Sequence, residues 1–379
     1  VQKLVQSAFA GKPEDIISQS VAKALYGEVS PYSATRLERF AACAFAHFLQ
    51  YGMKLTERVE YEFKPMDMGN VMHEALESFA EEVRKRGMKW TELTEQERNE
   101  IADRCLDNIV ADYGNTVLKS SARNEYMIER TRRILRRTVW ALQKQLEQGE
   151  FQPEGFEVTF GGGRIDRVDI MEDQNKVYVK VIDYKTGNTS FDLVYLYHGL
   201  QLQLMIYLDG ALRVEQKKYP DKEIIPAGVF YYNIKDPMIQ EKIDADVEAV
   251  SAGLMKELKM NGLAQADPEL VYRMDSSLGS IPVAFNKDGS FRKNSSVADR
   301  TQFAVLGRYV RTKIEKIRSS ILEGDAEVSP YELGKKNACT YCPYMTVCGF
   351  DRRLSGYEFR RLKNFSDEEL WKAFDREAE

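Results

Sequence analysis

Apolar residues recur at three- and four-residue spacing through the first 149 residues, then at every second position, then at helical spacing again. Residues 1–30 carry a weak helical pattern that ends at Gly27. Ser33 is placed to cap a helix through Arg36-Leu37-Glu38-Arg39-Phe40, with Leu37, Phe40, Ala41 and Phe45 as its apolar stripe. A clearer amphipathic helix spans 68–86, where Val71, Ala75, Leu76, Phe79 and Val83 share a face and His73 lies at its margin. The charged stretch 91–149 predicts two helices, with Thr94 and Glu97 at capping-box spacing.

From Phe156 to Thr186 the period becomes two, with β-branched and aromatic residues and a glycine cluster at Gly161, Gly162 and Gly163. Strands are expected at 164–170 and 177–185, joined by a turn at Glu172-Asp173-Gln174-Asn175. A helix at about 195–214, a strand at Ala227–Ile234 and a helix near 241–259 follow. Residues 262–295 read as loop, 299–323 as a long helix, and the rest as a cysteine-bearing tail. Helices, then strands, then helices predict one mixed α/β domain with helical insertions, and no internal repeat occurs. The expected divisions are an N-terminal segment at 1–30 that edges a preceding domain, the main domain at 31–355, and a C-terminal tail at 356–379.

Composition narrows the class. The chain has 379 residues, 43% hydrophobic and 30% charged, ample for a buried core. No apolar run reaches the length of a transmembrane helix, and the opening Val1-Gln2-Lys3-Leu4 lacks the apolar centre of a signal peptide. The expectation is a piece of a longer cytoplasmic polypeptide with no membrane partner. A net charge of −5 argues against a surface coated for nucleic acid, although a local groove and a metal ion can supply the field that a phosphate backbone needs. The most basic run holds Arg123, Arg130, Arg132, Arg133, Arg136 and Arg137. Arg130, Arg133 and Arg137 share one helix face, either a phosphate-tracking stripe or a solvated surface.

The strongest chemistry lies in Gly163-Arg164-Ile165-Asp166-Arg167-Val168-Asp169 and Val181-Ile182-Asp183-Tyr184-Lys185-Thr186-Gly187. Strand alternation puts Val177, Val179, Val181, Asp183 and Lys185 on one face, so an apolar face turns abruptly to acid and base at the strand end. Charges beside a core need partners or a metal. Asp166, on the preceding strand, reaches the same place, whereas Asp169 points to the opposite face. Two carboxylates can hold Mg²⁺ through hard oxygen ligands, and a lysine can orient water or steady a phosphate. A hairpin salt bridge is the plain alternative for an isolated D-x-K.

These residues, "GRIDRVD…VIDYKTG", resemble the RecB-family branch of the PD-(D/E)XK nucleases, although Ile165 stands where the superfamily name has proline. His73, within Met68-Gly69-Asn70-Val71-Met72-His73, resembles that family's helical histidine, and Gln203-Leu204-Met205-Ile206-Tyr207 resembles its Q-x-x-x-Y helix. The resemblance implies a restriction-endonuclease-like mixed sheet flanked by helices. It implies a catalytic set of His73, Asp166, Asp183, Lys185, Gln203 and Tyr207, with His73, Asp166 and Asp183 as metal ligands. Glu157 is a further acidic candidate ahead of the glycines.

Of the five cysteines, Cys339, Cys342 and Cys348 form C-x₂-C-x₅-C, while Cys43 lies far upstream. Three spaced thiolates and a remote fourth suit a tetrahedral zinc or an iron–sulfur cluster equally by spacing. Cys105, in a charged helix, reads as a buried small hydrophobe. One cysteine before the core and three after it resemble the iron–sulfur staple of AddB-type nuclease domains. That likeness implies a 4Fe–4S cluster on Cys43, Cys339, Cys342 and Cys348. It further implies an AddA-like partner subunit, unwound or single-stranded DNA as substrate, and exonucleolytic cleavage of the 5′-terminated strand in double-strand break repair. No Walker A sequence occurs in the chain. The other expectations are a stand-alone iron–sulfur exonuclease related to CRISPR-adaptation nucleases, and a catalytically silent DNA-binding module of the same fold.

Overall fold

The fold is taken from a computed structural model that describes residues 16–27, 33–56, 65–112, 121–161, 163–239 and 246–378. Most of the expected segment 1–30, Gly162, and the first turn of the helix expected from 241 lie outside the described residues. Helix α1 spans Gln19–Tyr26 and stops at Gly27, whose φ of +76° suits a residue without Cβ. Helix α2, Ala34–Ala42, starts at the expected cap: the Ser33 hydroxyl accepts from the Arg36 amide at 3.4 Å. Helices α3 (Pro65–Lys85), α4 (Glu95–Asp112) and α5 (Ala122–Glu147) follow. The Thr94–Glu97 capping box forms, with reciprocal side chain to amide bonds of 2.9 and 3.3 Å.

The sheet has strands β1 (Gln152–Phe160), β2 (Gly163–Asp173), β3 (Lys176–Lys185), β4 (Glu223–Asn233), β5 (Asn261–Gln265) and β6 (Val297–Ala298), in that spatial order. Strands β1 to β3 form an antiparallel meander, and β3 pairs parallel with β4. A parallel pair needs a crossover, here supplied by helix α6, Gln203–Lys218. Helix α7 spans Val247–Glu257, α8 Arg300–Glu323, and α9 Asp367–Ala378.

Alternation along the strands feeds two cores. On one face Tyr178, Ile182 and Tyr184 pack with Val71, Leu76 and Phe79 of α3 and with Leu106 and Leu135 of α4 and α5. On the other, Val177, Val179 and Val181 pack with Leu37 of α2, Leu204 and Leu208 of α6, and Leu306 and Tyr309 of α8. Helix α9, within the segment expected to be a tail, buries Leu370 and Phe374 in this second core. The loop-rich stretch 262–295 holds part of β5 and a short helix at Pro268–Met274.

Candidate active site

The apolar face of β3 ends at Asp183 and Lys185, at the edge of the second core. The β2–β3 register pairs Arg167 with Ile182, so one step along the ladder Asp166 faces Asp183. Asp166 is 8% exposed and Asp183 1%. Asp166 Oδ2 accepts the Tyr184 amide at 2.7 Å, which ties the two strands together beside the carboxylates.

His73 reaches this corner from the middle of α3. Its Nδ1 lies 3.4 Å from Asp166 Oδ2 and 3.8 Å from Glu157 Oε1. Among the described residues, His73, Glu157 and Asp166 form a group whose ligand atoms all lie within 4.8 Å of one another. Of the other two histidines, His47 is buried against Tyr26, Phe40 and Tyr51, and His198 Nε2 pairs with the Lys363 carbonyl.

Glu157 enters by an unusual route. It stands in β1 between the pairs Phe156–Arg167 and Val158–Ile165, opposite Asp166, with φ of +50°. The left-handed region is uncommon for a non-glycine residue and is typical of chain held in place by its surroundings. The β1–β2 register slips just upstream, between Pro153 and Gly155, which re-aims the following side chains. Arg164 Nε, largely exposed, lies 2.5 Å from Glu157 Oε2.

Lys185 Nζ lies 2.6 Å from Asp183 Oδ2 and donates to Gln203 Oε1 at 2.8 Å. Gln203 Nε2 in turn donates to the Tyr207 hydroxyl at 2.9 Å, one helical turn further along α6. The six residues expected to form the catalytic set thus stand together at one end of the sheet, and Glu157 joins them. Asp169 lies on the opposite face, bound to Arg167 and Lys180.

The electrostatics favour a cation. Burial, then the neighbouring Asp166 charge, push the Asp183 carboxyl up to about 7 against the pull of Lys185 and His73. Burial works against charge on His73, but hydrogen bonds to Asp166 and Glu157 and their charges push it up to about 10. Asp183 Oδ2 is buried, with the Lys185 ammonium as its close partner. Glu157 and Asp166 crowded beside His73, with Asp183 next to Asp166, are a donor set that fits a hard divalent cation.

Four cysteines line a second feature. Cys43, at the C-terminal end of α2, lines one small pocket with Cys339, Cys342 and Cys348, beside Phe45 and Tyr344. No three of these sulfurs lie within 4.8 Å of one another. Burial, then the neighbouring thiols of Cys43, Cys342 and Cys348, push Cys339 up to about 12. Burial also raises Cys43, opposed by the backbone N–H groups of Ala46, Ser329 and Phe45. Cys105 is buried in the first core. The arginine stripe of α5 lines a third feature, a cleft of about 740 Å³ against α7 that includes Arg130, Arg133, Arg137, Tyr126 and Trp140.

Comparison with known proteins agrees with this architecture. Over its whole length the chain is 42% identical to an ATP-dependent helicase/deoxyribonuclease subunit, of the B type, from Lachnoclostridium phytofermentans, covering 34% of that protein. Proteins of the same description from Thermoanaerobacter sp. (strain X514) and Alkaliphilus metalliredigens are each 34% identical, over 100% and 99% of the chain and 35% of their own length. The chain thus spans about a third of the curated relatives it matches. Residues 31–349 match the PD-(D/E)XK nuclease superfamily, and with its mixed six-stranded sheet flanked by helices the chain belongs to that superfamily.

Proposed function

We propose that this chain is the metal-dependent nuclease domain of a helicase–nuclease complex that degrades an unwound DNA strand at double-strand ends. The observation that carries this reading is the convergence of His73, Glu157 and Asp166, with Asp183 and Lys185 beside them though outside that close group. In this reading His73, Asp166 and Asp183 hold Mg²⁺, with Glu157 as a further acidic ligand. A bound divalent cation would acidify water and offset charge on the phosphate during hydrolysis. Lys185 places its ammonium where it can donate to the attacked phosphate or to water. Gln203 holds that ammonium, and Tyr207 holds Gln203.

The relatives' printed names pair helicase with deoxyribonuclease, which favours DNA as substrate and an AddA-like subunit as partner. The arginine cleft supports the same substrate. All of Arg130, Arg132, Arg133, Arg136 and Arg137 line the cleft with Tyr126 and Trp140; Arg132 and Arg136 pair with Asp107 and Asp103 on α4, and Arg133 with Asp236. Basic groups interleaved with aromatic rings suit a single strand. Hydrolysis of the 5′-terminated strand is part of the proposal, on the AddB-type resemblance alone.

The four cysteines are proposed to hold a 4Fe–4S cluster that staples Cys43 to the C-terminal cysteines. A tetrahedral zinc with Zn–S near 2.3 Å would draw its sulfurs to about 3.8 Å apart. No three of the sulfurs lie within 4.8 Å of one another, and the choice of 4Fe–4S over zinc rests on the AddB-type resemblance. The nuclease reading is tested by digestion of single-stranded DNA with Mg²⁺, comparing wild type with Asp183→Ala. Metal-dependent digestion lost in the variant supports the assignment, and equal digestion by both proteins defeats it.

A further inference from the structure

Helix α6 begins where Lys185 needs it, and a side chain from another element sets that start. The first amides of a helix have no partner within it. Here Glu38, near the middle of α2, supplies one: its Oε1 accepts the Leu202 amide at 2.7 Å and the Gln203 amide at 3.0 Å. These bonds bridge 164 and 165 residues of sequence, so they are not a local cap. The Leu202 cap itself offers no side-chain acceptor. The residue whose amide Glu38 holds is the one whose side chain holds Lys185, at 2.8 Å, over Asp183.

We propose that Glu38 is a positioning residue for the nuclease centre, fixing the first turn of α6 so that Gln203 presents its amide oxygen to Lys185. The proposal rests on the reading of Lys185 and Asp183 as catalytic. Glu38 hydrogen-bonds the Leu202 and Gln203 backbone, and its charge also interacts with Lys185 and Asp183. Burial pushes its carboxyl up to about 7, against the Gln203 and Leu202 amides and the Lys185 charge. What the two amides need is one acceptor oxygen, which glutamine also carries. A neutral amide with the same reach can therefore serve.

The same helix has a second connection. α2 ends at Cys43, five residues beyond Glu38, so one rigid rod runs from the cysteine pocket to the base of the catalytic helix. Leu37 and Phe40 bury that rod in the second core beside α6 and α8. A disturbance at the cysteines therefore has a short mechanical route to Lys185.

The test compares wild type, Glu38→Ala, Glu38→Gln and Glu38→Asp in Mg²⁺-dependent digestion of single-stranded DNA, with hydrogen exchange at the Leu202 and Gln203 amides. Glu38→Ala is expected to lower kcat by roughly 10- to 100-fold, the range typical of groups that orient a catalytic side chain, with KM little changed. Glu38→Gln should restore most of the rate. Should Glu38→Ala not fold, Glu38→Asp, with its acceptor drawn back by one methylene, is expected to fold and lose rate. In a Gln203→Ala background the Glu38 variants should add no further loss, because both act on one lysine.

A folded Glu38→Ala or Glu38→Asp with wild-type kcat overturns the proposal, as does Glu38→Gln impaired as severely as Glu38→Ala. Hydrogen exchange keeps the two questions apart. If the wild type digests no DNA with any divalent cation, the nuclease reading fails. The positioning contact is still judged by protection of the two amides, which Glu38→Ala must lose and Glu38→Gln must keep.

Discussion

Two groups of buried charge sit on the same pair of strands, one on each face, and they are resolved in opposite ways. On one face Asp169 is fully buried between Arg167, at 2.5 Å, and Lys180, at 3.0 Å. Aromatic rings cover the cations: Arg167 lies over Trp90 and Phe156, and Lys180 over Phe151. Burial opposes the charge on Asp169, but Arg167 and Lys180 outweigh it and hold the carboxyl below its ordinary range. On the other face three carboxylates meet Lys185, the exposed Arg164 and a histidine that balances them only by taking up a proton. In the first group two cations flank one carboxylate; in the second Asp166 and Asp183 crowd one another, and the proposed reading adds a divalent cation there. Buried charge by itself marks neither function nor stability; the bookkeeping of partners does.

Substitutions on the two faces should therefore fail in different ways. Asp183→Asn is expected to cost at least about 10²-fold in kcat, the scale seen when a group stabilising transition-state charge is removed. Its melting temperature without metal should not fall, because the change relieves repulsion with Asp166. Asp169→Ala leaves Arg167 and Lys180 buried without their carboxylate and should destabilise the domain by about 3–5 kcal/mol. Activity per folded molecule should persist. Chemical denaturation alongside single-turnover digestion separates the two outcomes, and a drop of several kcal/mol in Asp183→Asn would erase the distinction.

The cysteine centre tests the comparison from further away. Anaerobically purified protein should be brown, as expected of thiolate-bound iron–sulfur. Cys342→Ser should lose the colour and melt at lower temperature, with activity falling as a consequence. A colourless protein with stoichiometric zinc would contradict the cluster, and unchanged melting would contradict the staple. The smallest effect belongs to the arginine cleft. Arg130→Ala or Arg137→Ala should weaken single-stranded DNA binding and reduce its salt dependence by about one counterion each, with kcat at saturation unchanged. Binding curves at several salt concentrations check this.

Much of the site was legible because strand alternation and helical spacing are local. Asp183 and Lys185 follow three core valines on β3, and Gln203 and Tyr207 are one helical turn apart. Ser33, Gly27 and the Thr94–Glu97 box mark helix ends by chemistry that needs no tertiary context. Glu157 was harder, because its position depends on pairing with β2 and on a positive φ that breaks simple alternation. Glu38 carried no signal at all. It sits in a helix whose apolar stripe is plain, and its role exists only where α2 crosses the start of α6. Helix α9 is short and mostly charged; Leu370 and Phe374 gain their meaning from the core they enter. β6, two residues long, is held by β5 rather than by its own sequence.

In the proposed reading a divalent cation completes the second group of charges. The most direct measurement is a crystal structure of the protein soaked with Mn²⁺, with anomalous scattering recorded to locate the ion. One peak is expected, bounded by His73, Asp166 and Asp183, with Glu157 alongside, and lost in Asp183→Asn. Mn²⁺ bound elsewhere, with His73 still paired to Asp166 and Glu157, would contradict it.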